Sequence, residues 1–498
     1  MHDSLLGQHK PDILDCIANL SNDEVFTPPA VANRMLDLLP AEVWTNPELR
    51  FLDPGCKSGV FLREAAKRLM KGLEDAIPDE AARLEHVFKN MLHGIAITEL
   101  TAQISRRTLY YSKDASSKQS VVSLPTADGN IRYQNISHAF KAGSCVLCGA
   151  PEAAGRHLES LESHAYLFIH EDLDPSMKFD VIIGNPPYQL KDGEGGNGSS
   201  AKPIYQHFIG SAISMNPRYL SMIIPSRWFT DGKGLESFRE KMLGDSRVKT
   251  IVDHFSSADC FPGVDIAGGV CYFLWDARHD GLCEVTTKAN SGEITATRRL
   301  NEFDTFVRDG RALPILEKVR GASDKMLNAV VSSRKPFGLD SAVRPSTHGD
   351  LTLLWSGGSG PIEKNRVTTN ADIVDKWKAI TSKVSYDHAG MPDKNGLRRV
   401  LSKVEVLPPG HVCTETYLVA GSFDTKEEAE NLTGYMKTKF FRFLVSLLSV
   451  TQNITKEKFA FVPQLPMTEP WDDAKLYARY GLTLAEIAYI ESLIKEMA

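Results

Sequence analysis

The side chains best placed to do chemistry lie in the stretch FDVIIGNPPYQ, from Phe179 to Gln189. Asn185, Pro186, Pro187 and Tyr188 follow directly on a short, wholly apolar run. Two consecutive prolines remove two backbone donors and hold two φ angles near −65°. The outcome is a stiff turn that presents carbonyl oxygens without neighbouring N–H groups, flanked by an amide and an aromatic ring. Such a turn suits a planar group that donates hydrogen bonds. An exocyclic amine is a poor nucleophile because its lone pair is delocalised into its ring. An enzyme that alkylates one must accept from both of its N–H protons. The Asn185 side-chain oxygen and the Pro186 carbonyl are the expected acceptors, with Tyr188 stacking on the ring. No metal is needed for such chemistry, which rests on positioning and polarisation.

A second constellation lies upstream in DPGCKSGVFL, from Asp53 to Leu62. A strand ending in an acidic residue and a glycine-containing turn, opening a helix, is a nucleotide- or cofactor-binding device. Glycine lets the backbone approach a ligand, and a helix N-terminus favours a carboxylate or phosphate. A third is SCVLCGA, where Cys145 and Cys148 have zinc-knuckle spacing with His138, His157 and His164 nearby. We expect structural zinc on Cys145, Cys148 and two of these histidines, with His157 and His164 favoured; two buried thiols in an inserted loop is the competing reading.

These residues need a scaffold. The apolar runs RFLDP, HGIAI, FDVIIG, YLSMIIP (Tyr219–Pro225), VKTIVDHF and GGVCYFLW alternate with amphipathic stretches, one of which places Val31, Met35, Leu36 and Leu39 on one helical face. Alternation of this kind predicts an α/β fold with a mostly parallel, doubly wound Rossmann-like sheet over residues 1–276. Polar residues interrupt it between about 112 and 163, which we read as an insertion. Beyond residue 277 the alternation is lost, and a second, α+β domain is expected over 277–498. There KEEAENLTGYMKTKFFRFLVSLLSV predicts one long helix and LTLAEIAYIESLIKEM a terminal one, with SVTQNITKEKFAFVP joining the long helix to a final strand.

Composition restricts the class. The chain has 498 residues, 42% hydrophobic and 24% charged, an ordinary globular balance. Eight cysteines are too few for a disulfide scaffold and suit a reducing compartment. With no run of 18 apolar residues and no signal pattern at the N-terminus, no membrane association and a cytoplasmic location are expected. The net charge of −6 does not announce nucleic acid, but the window Glu363–Lys403 holds nine Lys/Arg against five Asp/Glu. It is locally positive. Lys456 and Lys458 are further possible phosphate contacts, with solvated lysines the plainer reading.

DPGCKSG followed by NPPY resembles the S-adenosylmethionine-dependent adenine-N6 DNA methyltransferases of restriction–modification systems, in the gamma-class, TaqI-type order. VFTPPAVANRMLDLLP, from Val25 to Pro40, is similar to their N-terminal cofactor motif. The resemblance covers roughly residues 22–275, and the C-terminal region is similar to target-recognition domains in position and general character. It implies methyl transfer to the N6 amine of adenine in double-stranded DNA after base flipping; no metal-nuclease core stands out in the sequence, so the expectation is a restriction endonuclease on a separate chain, with a solitary methyltransferase as the alternative. It implies Asn185, Pro186, Pro187 and Tyr188 around the adenine, and Phe261 as a second ring stacking on the flipped base. For the cofactor it implies Phe26, Thr27, Asp53, Gly55, Gly59, Glu99 and Asp172. Two positions depart from the family pattern: Lys57 stands where a glycine is usual, and Ala96 and Thr98 where an acidic residue usually grips ribose hydroxyls, which leaves Glu99 as the nearest carboxylate. Lys57 and Ala96 favour a rival reading, a non-catalytic DNA-binding subunit with a decayed cofactor site. Methylation of another planar amine, RNA adenine or the glutamine amide of a protein, is the other rival. The roughly 220 residues after the catalytic motif favour DNA.

Overall fold

The computed structural model describes residues 25–147, 152, 166–170, 178–190, 202–230, 234–289, 292–303, 305–387, 393–449 and 452–497. The chain splits into two compact units, Met1–Ala289 with Thr295–Phe306, and Asn290–Ile294 with Val307–Ala498.

In the first unit the apolar runs become strands. They are, in chain order, β1 (Phe51–Cys56), β2 (Leu92–Ala96), β3 (Ile131–Arg132), a hairpin of β4 (Phe140–Lys141) and β5 (Ser144–Cys145), and β6 (Val181–Gly184). There follow a ribbon of β7 (Gln189–Leu190) and β8 (Lys202–Pro203), then β9 (Tyr219–Pro225), β10 (Val248–His254), β11 (Val270–Asp276), β12 (Cys283–Ala289) and β13 (Gly292–Arg298), whose first residues, up to Ile294, count with the second unit. Nine of them form one sheet in the order β13-β12-β10-β11-β9-β6-β1-β2-β3. β1, β6, β9 and β11 are buried along their whole length, the signature of strands covered on both faces. Alternation divides their side chains between two cores. Phe51, Val181, Ile183 and Ile223 enter one cluster, while Leu52, Ile182, Met222 and Ile224 enter the other.

The sheet is parallel from β9 through β6, β1 and β2 to β3. β11 runs antiparallel to both β9 and β10, so the sheet is mixed. Two regions differ from expectation. Ile131 and Arg132, inside the expected insertion, extend the sheet beside β2. β12 pairs with β10, so the sheet continues past residue 276. The register pairs Phe51 with both Leu92 and Val181. The turns leaving β1 and β6, which carry Asp53–Gly59 and Asn185–Tyr188, therefore emerge side by side at the carboxyl edge, where open α/β sheets bind ligands.

The second unit contains two three-stranded sheets. β14 (Leu351–Trp355), β15 (Gly358–Ile362) and β18 (His411–Cys413) form one, and β16 (Trp377–Ser382), β17 (Val404–Leu407) and β19 (Tyr417–Phe423) the other. The single long helix expected near its end is two, Lys426–Lys437 and Lys439–Ser446. Thr438 breaks it: its backbone is extended (φ −61°, ψ 152°) and its hydroxyl caps the second helix by accepting from Phe441 N–H, the role for which threonine is favoured. The terminal helix forms over Leu484–Leu493 with a Thr483–Glu486 capping box. The connection expected to lead into a final strand holds a short 3₁₀ turn, Lys456–Phe459, and no strand follows it among the described residues. No helix among the described residues is long and apolar enough to cross a membrane.

Candidate active site

Two glycines let the neighbouring turns close on each other. A Cβ on Gly55 would stand 3.2 Å from Pro186 Cα and 3.3 Å from the Asn185 carbonyl oxygen. A Cβ on Gly184 would stand 2.7 Å from Asp53 Oδ1, closer than real Cβ atoms come. Gly59 adopts φ 73° as the N-cap of the helix Val60–Gly72, a left-handed conformation natural to glycine. Its Cα side packs against the Ser105 backbone, 3.0 Å from where a Cβ would be. Ser105 Oγ donates to the Lys57 carbonyl at 3.1 Å and lies 3.1 Å from Cys56 Sγ, tying the turn to the helix Glu99–Tyr110.

Lys57 does not strain this turn. It is absent from the residues with positive φ, so the left-handed step the loop needs falls on Gly59. Its side chain is buried, with Nζ donating to the Val25 carbonyl at 3.2 Å and lying 5.9 Å from the centre of the Tyr188 ring. The same Val25 carbonyl accepts from Asn185 Nδ2 at 3.0 Å, and Thr27 Oγ1 lies 3.1 Å from Nδ2. A carbonyl only accepts, so the amide orientation is determined: Nδ2 faces Val25. The opposite atom, Asn185 Oδ1, is buried and has no hydrogen-bond partner among the described residues. Buried polar atoms are ordinarily paired, and an orphan acceptor costs roughly 1–3 kcal/mol.

Pro186 and Pro187 are buried and Tyr188 half-buried. The Tyr188 hydroxyl is also buried without a partner among the described residues, and burial holds its pKa well above the ordinary phenol value. Asp53 is 2% exposed, and its Oδ1 accepts from Gly55 N–H at 3.2 Å. Burial raises its pKa from 3.8 to about 7, against the opposing pull of the Gly55 N–H, Cys56 and the Lys57 charge. Thr27, Asp53, Gly55, Lys57, Ser58, Gly59, Val60, Phe61 and Asn185 line one pocket. The cofactor turn and the amide of the Pro-Pro turn thus share a single cavity.

The remaining expected residues fall elsewhere. Phe26 is buried beside Thr27 in sequence but is not in the pocket lining. Glu99 stands exposed in the first helical turn after β2, also outside the lining. Phe261, expected to stack on a base, is 2% exposed within the core, so its ring has no open face for a base. Asp172, Cys148, His157 and His164 lie outside the described residues. Cys145 is brought together with His138 and with His170, a residue that sequence spacing did not single out. In the basic window Lys364, Arg366 and Lys394 are exposed. Lys378 is fully buried, donating to the Val374 and Ile373 carbonyls at 2.7 and 3.3 Å, and Arg399 stacks on Tyr386. Lys458 is buried as well, with Nζ 2.6 Å from the Leu448 carbonyl. Part of this positive charge is therefore structural.

Sequence comparison matches residues 90–261 to the Eco57I restriction-modification methylase family. An "uncharacterized adenine-specific methylase" of Mycoplasma pneumoniae is 40% identical over 324 residues, 58% of this chain and 76% of that protein. Among solved structures, DrdV in its complex with DNA aligns over 88% of this chain and 55% of its own, at 12% identity and TM-score 0.47. MmeI, a type IIL restriction-modification enzyme in complex with DNA, aligns over 90% of this chain and 66% of its own, at 11% identity and TM-score 0.45. The chain thus spans little more than half of the one and about two thirds of the other.

Proposed function

The chain belongs to the adenine-specific DNA methylases of restriction–modification systems, and from that premise we propose that Asn185-Pro186-Pro187-Tyr188 holds a flipped-out adenine while its N6 amine is methylated at the expense of S-adenosylmethionine. One observation carries this reading. Asn185 Oδ1 is a buried acceptor without a partner, in an amide whose donors are already committed to Val25 and Thr27. Such an atom is prepared for a donor that arrives with a ligand.

The pocket residues suit the cofactor. Asp53 is a buried carboxylate whose pKa burial raises to about 7 despite the nearby Lys57 charge, and a cationic ligand would add to the charge that favours its ionised form. Asp53, Gly55, Gly59 and Thr27 would hold the cofactor, with Phe26, Glu99 and Asp172 as further contacts. S-adenosylmethionine, when bound, supplies an electrophilic methyl group. The protein's own part is orientation. Asn185 Oδ1 and the Pro186 carbonyl accept from the two N6–H groups and return lone-pair density to the nitrogen. Tyr188 stacks on the base and keeps water from its face. The N6–C bond would form as the methyl's bond to the sulfonium sulfur breaks and leaves a neutral thioether, and the surplus N6–H proton would then be lost to solvent. Burial inside a duplex hides N6, so base flipping is required. Target recognition falls to the C-terminal unit, with the exposed Lys364, Arg366 and Lys394 as phosphate contacts, and restriction to a separate endonuclease.

The test is transfer of radiolabelled methyl from S-adenosylmethionine to unmethylated plasmid DNA, followed by nucleoside analysis. The reading expects label in N6-methyladenosine with wild type and its loss with Asn185→Ala. Label appearing in RNA or protein glutamine instead would transfer the same acceptor site to another planar amine. Absence of cofactor binding would overturn catalysis altogether.

A further inference from the structure

Outside the pocket, His138, Cys145 and His170 form a cluster whose ligand atoms all lie within 4.8 Å of one another. We infer that these three side chains bind a zinc ion that clamps the β4–β5 hairpin to the core of the first unit. The geometry is close to what zinc requires. Bonds of about 2.3 Å to sulfur and 2.0–2.1 Å to nitrogen at a tetrahedral angle separate the two ligand atoms by about 3.6 Å. Cys145 Sγ and His170 Nε2 are 3.7 Å apart. The His138 and His170 rings meet edge to face, with centroids 5.0 Å apart and planes 82° apart. A small inward movement brings both nitrogens to one ion.

The tautomer of His170 supports the assignment. Its Nδ1 lies 2.9 Å from the Tyr166 carbonyl, which can only accept, so Nδ1 carries the proton. Nε2 then turns its lone pair toward Cys145. A ligating imidazole that donates its other N–H to a backbone carbonyl is the usual outer-shell arrangement of zinc sites.

The hairpin also has reason to need a clamp. It turns through Ala142 and Gly143, with φ of 51° and 80°, and is short: Phe140 pairs with Cys145 and Lys141 with Ser144, with one more bond from Val146 N–H to the Ala139 carbonyl. Phe140, Val146 and Leu147 are exposed, so little apolar burial holds it, and an isolated two-stranded hairpin is marginal in water. His170, by contrast, ends the short helix Leu167–His170, whose Leu167, Phe168 and Ile169 are buried in the core. An ion shared between them anchors the weak element to the strong one. None of the three ligands lines the pocket at Asp53 and Asn185, so the ion stands apart from methyl transfer, and a water molecule completes its tetrahedral shell.

The experiment uses the full chain, purified without chelator, with metal measured by mass spectrometry and the site reconstituted with cobalt(II). The expected result is about one zinc per chain, and a cobalt spectrum with tetrahedral d–d bands and a thiolate charge-transfer band. Cys145→Ser and His170→Ala should each lower metal affinity at least about tenfold. Cys145→His, which puts a nitrogen ligand in place of the sulfur, should retain metal and abolish the thiolate band. Circular dichroism and S-adenosylmethionine binding check that each variant is folded. Wild type that carries no stoichiometric zinc and develops no cobalt charge-transfer band would overturn the inference, leaving a thiol–imidazole hydrogen bond. So would metal content unchanged in both Cys145→Ser and His170→Ala.

Discussion

Replacing Asn185 with alanine should separate stability from activity. In the ligand-free protein Asn185 Nδ2 lies within hydrogen-bonding distance of the Val25 carbonyl and Thr27 Oγ1, contacts worth about 0.5–1.5 kcal/mol each. The same side chain buries Oδ1 without a partner, at a cost of roughly 1–3 kcal/mol. Truncation removes both, so the two effects offset, and the change in unfolding free energy should stay within about 2 kcal/mol of zero. Lys57 Nζ still reaches the Val25 carbonyl at 3.2 Å, which limits the loss further. Catalysis has no such offset, because Oδ1 finds its donor only when the amine is bound. Loss of one preorganised electrostatic contact costs about 2.7–4 kcal/mol of transition-state stabilisation, a 10²–10³-fold fall in rate. Urea denaturation of the apo protein and single-turnover label transfer into DNA, run on the same preparations, provide both numbers. A rate within about tenfold of wild type would refute the acceptor role. A destabilisation above about 4 kcal/mol would show that Asn185 is chiefly a structural bracket.

Substitutions at three other residues test the neighbouring atoms. The folded pKa of Asp53 is raised from 3.8 to about 7, so the folded protein holds a proton that the unfolded chain releases, and apo stability should fall as pH rises from about 4 to 7. At about 1.4 kcal/mol per pH unit this amounts to on the order of 4 kcal/mol. Asp53→Asn should flatten that dependence in thermal melts, while wild-type affinity for S-adenosylmethionine, measured calorimetrically, should weaken as pH falls below about 7; affinity constant from pH 6 to 8 would contradict the charge argument. Gly184→Ala places a Cβ 2.7 Å from Asp53 Oδ1 and should cost about 1–3 kcal/mol together with cofactor affinity, with a neutral melt counting against the close packing of the two turns. Tyr188→Phe deletes a buried hydroxyl without a partner and should raise stability by about 1 kcal/mol at nearly unchanged rate, whereas Tyr188→Ala should lose activity; equal loss in both would mean that the hydroxyl, not the ring face, meets the substrate.

The sequence by itself determined what depends on neighbours along the chain. Strands buried on both faces read as continuous apolar runs, so β9 was legible to the residue and β6, β10 and β11 within about two positions. The Pro-Pro turn and the glycine at residue 59 were legible because turn chemistry is local. Tertiary structure decided the rest, since it depends on residues far apart in the chain. Lys57 looked like damage to a glycine-rich turn and proves to be a brace, because the Val25 carbonyl it meets lies 32 residues away. Phe261 stands where the resemblance places a stacking ring, but in the folded chain it is buried in a hydrophobic cluster. His170 has no spacing to announce it, being 25 residues from Cys145. Lys378 and Lys458 count as positive charge in any composition, yet their ammonium groups end on buried carbonyls. The same holds for Asn185. Its identity was in the sequence, but only the convergence of Val25 and Thr27, about 160 residues upstream, occupies its nitrogen and leaves its oxygen waiting.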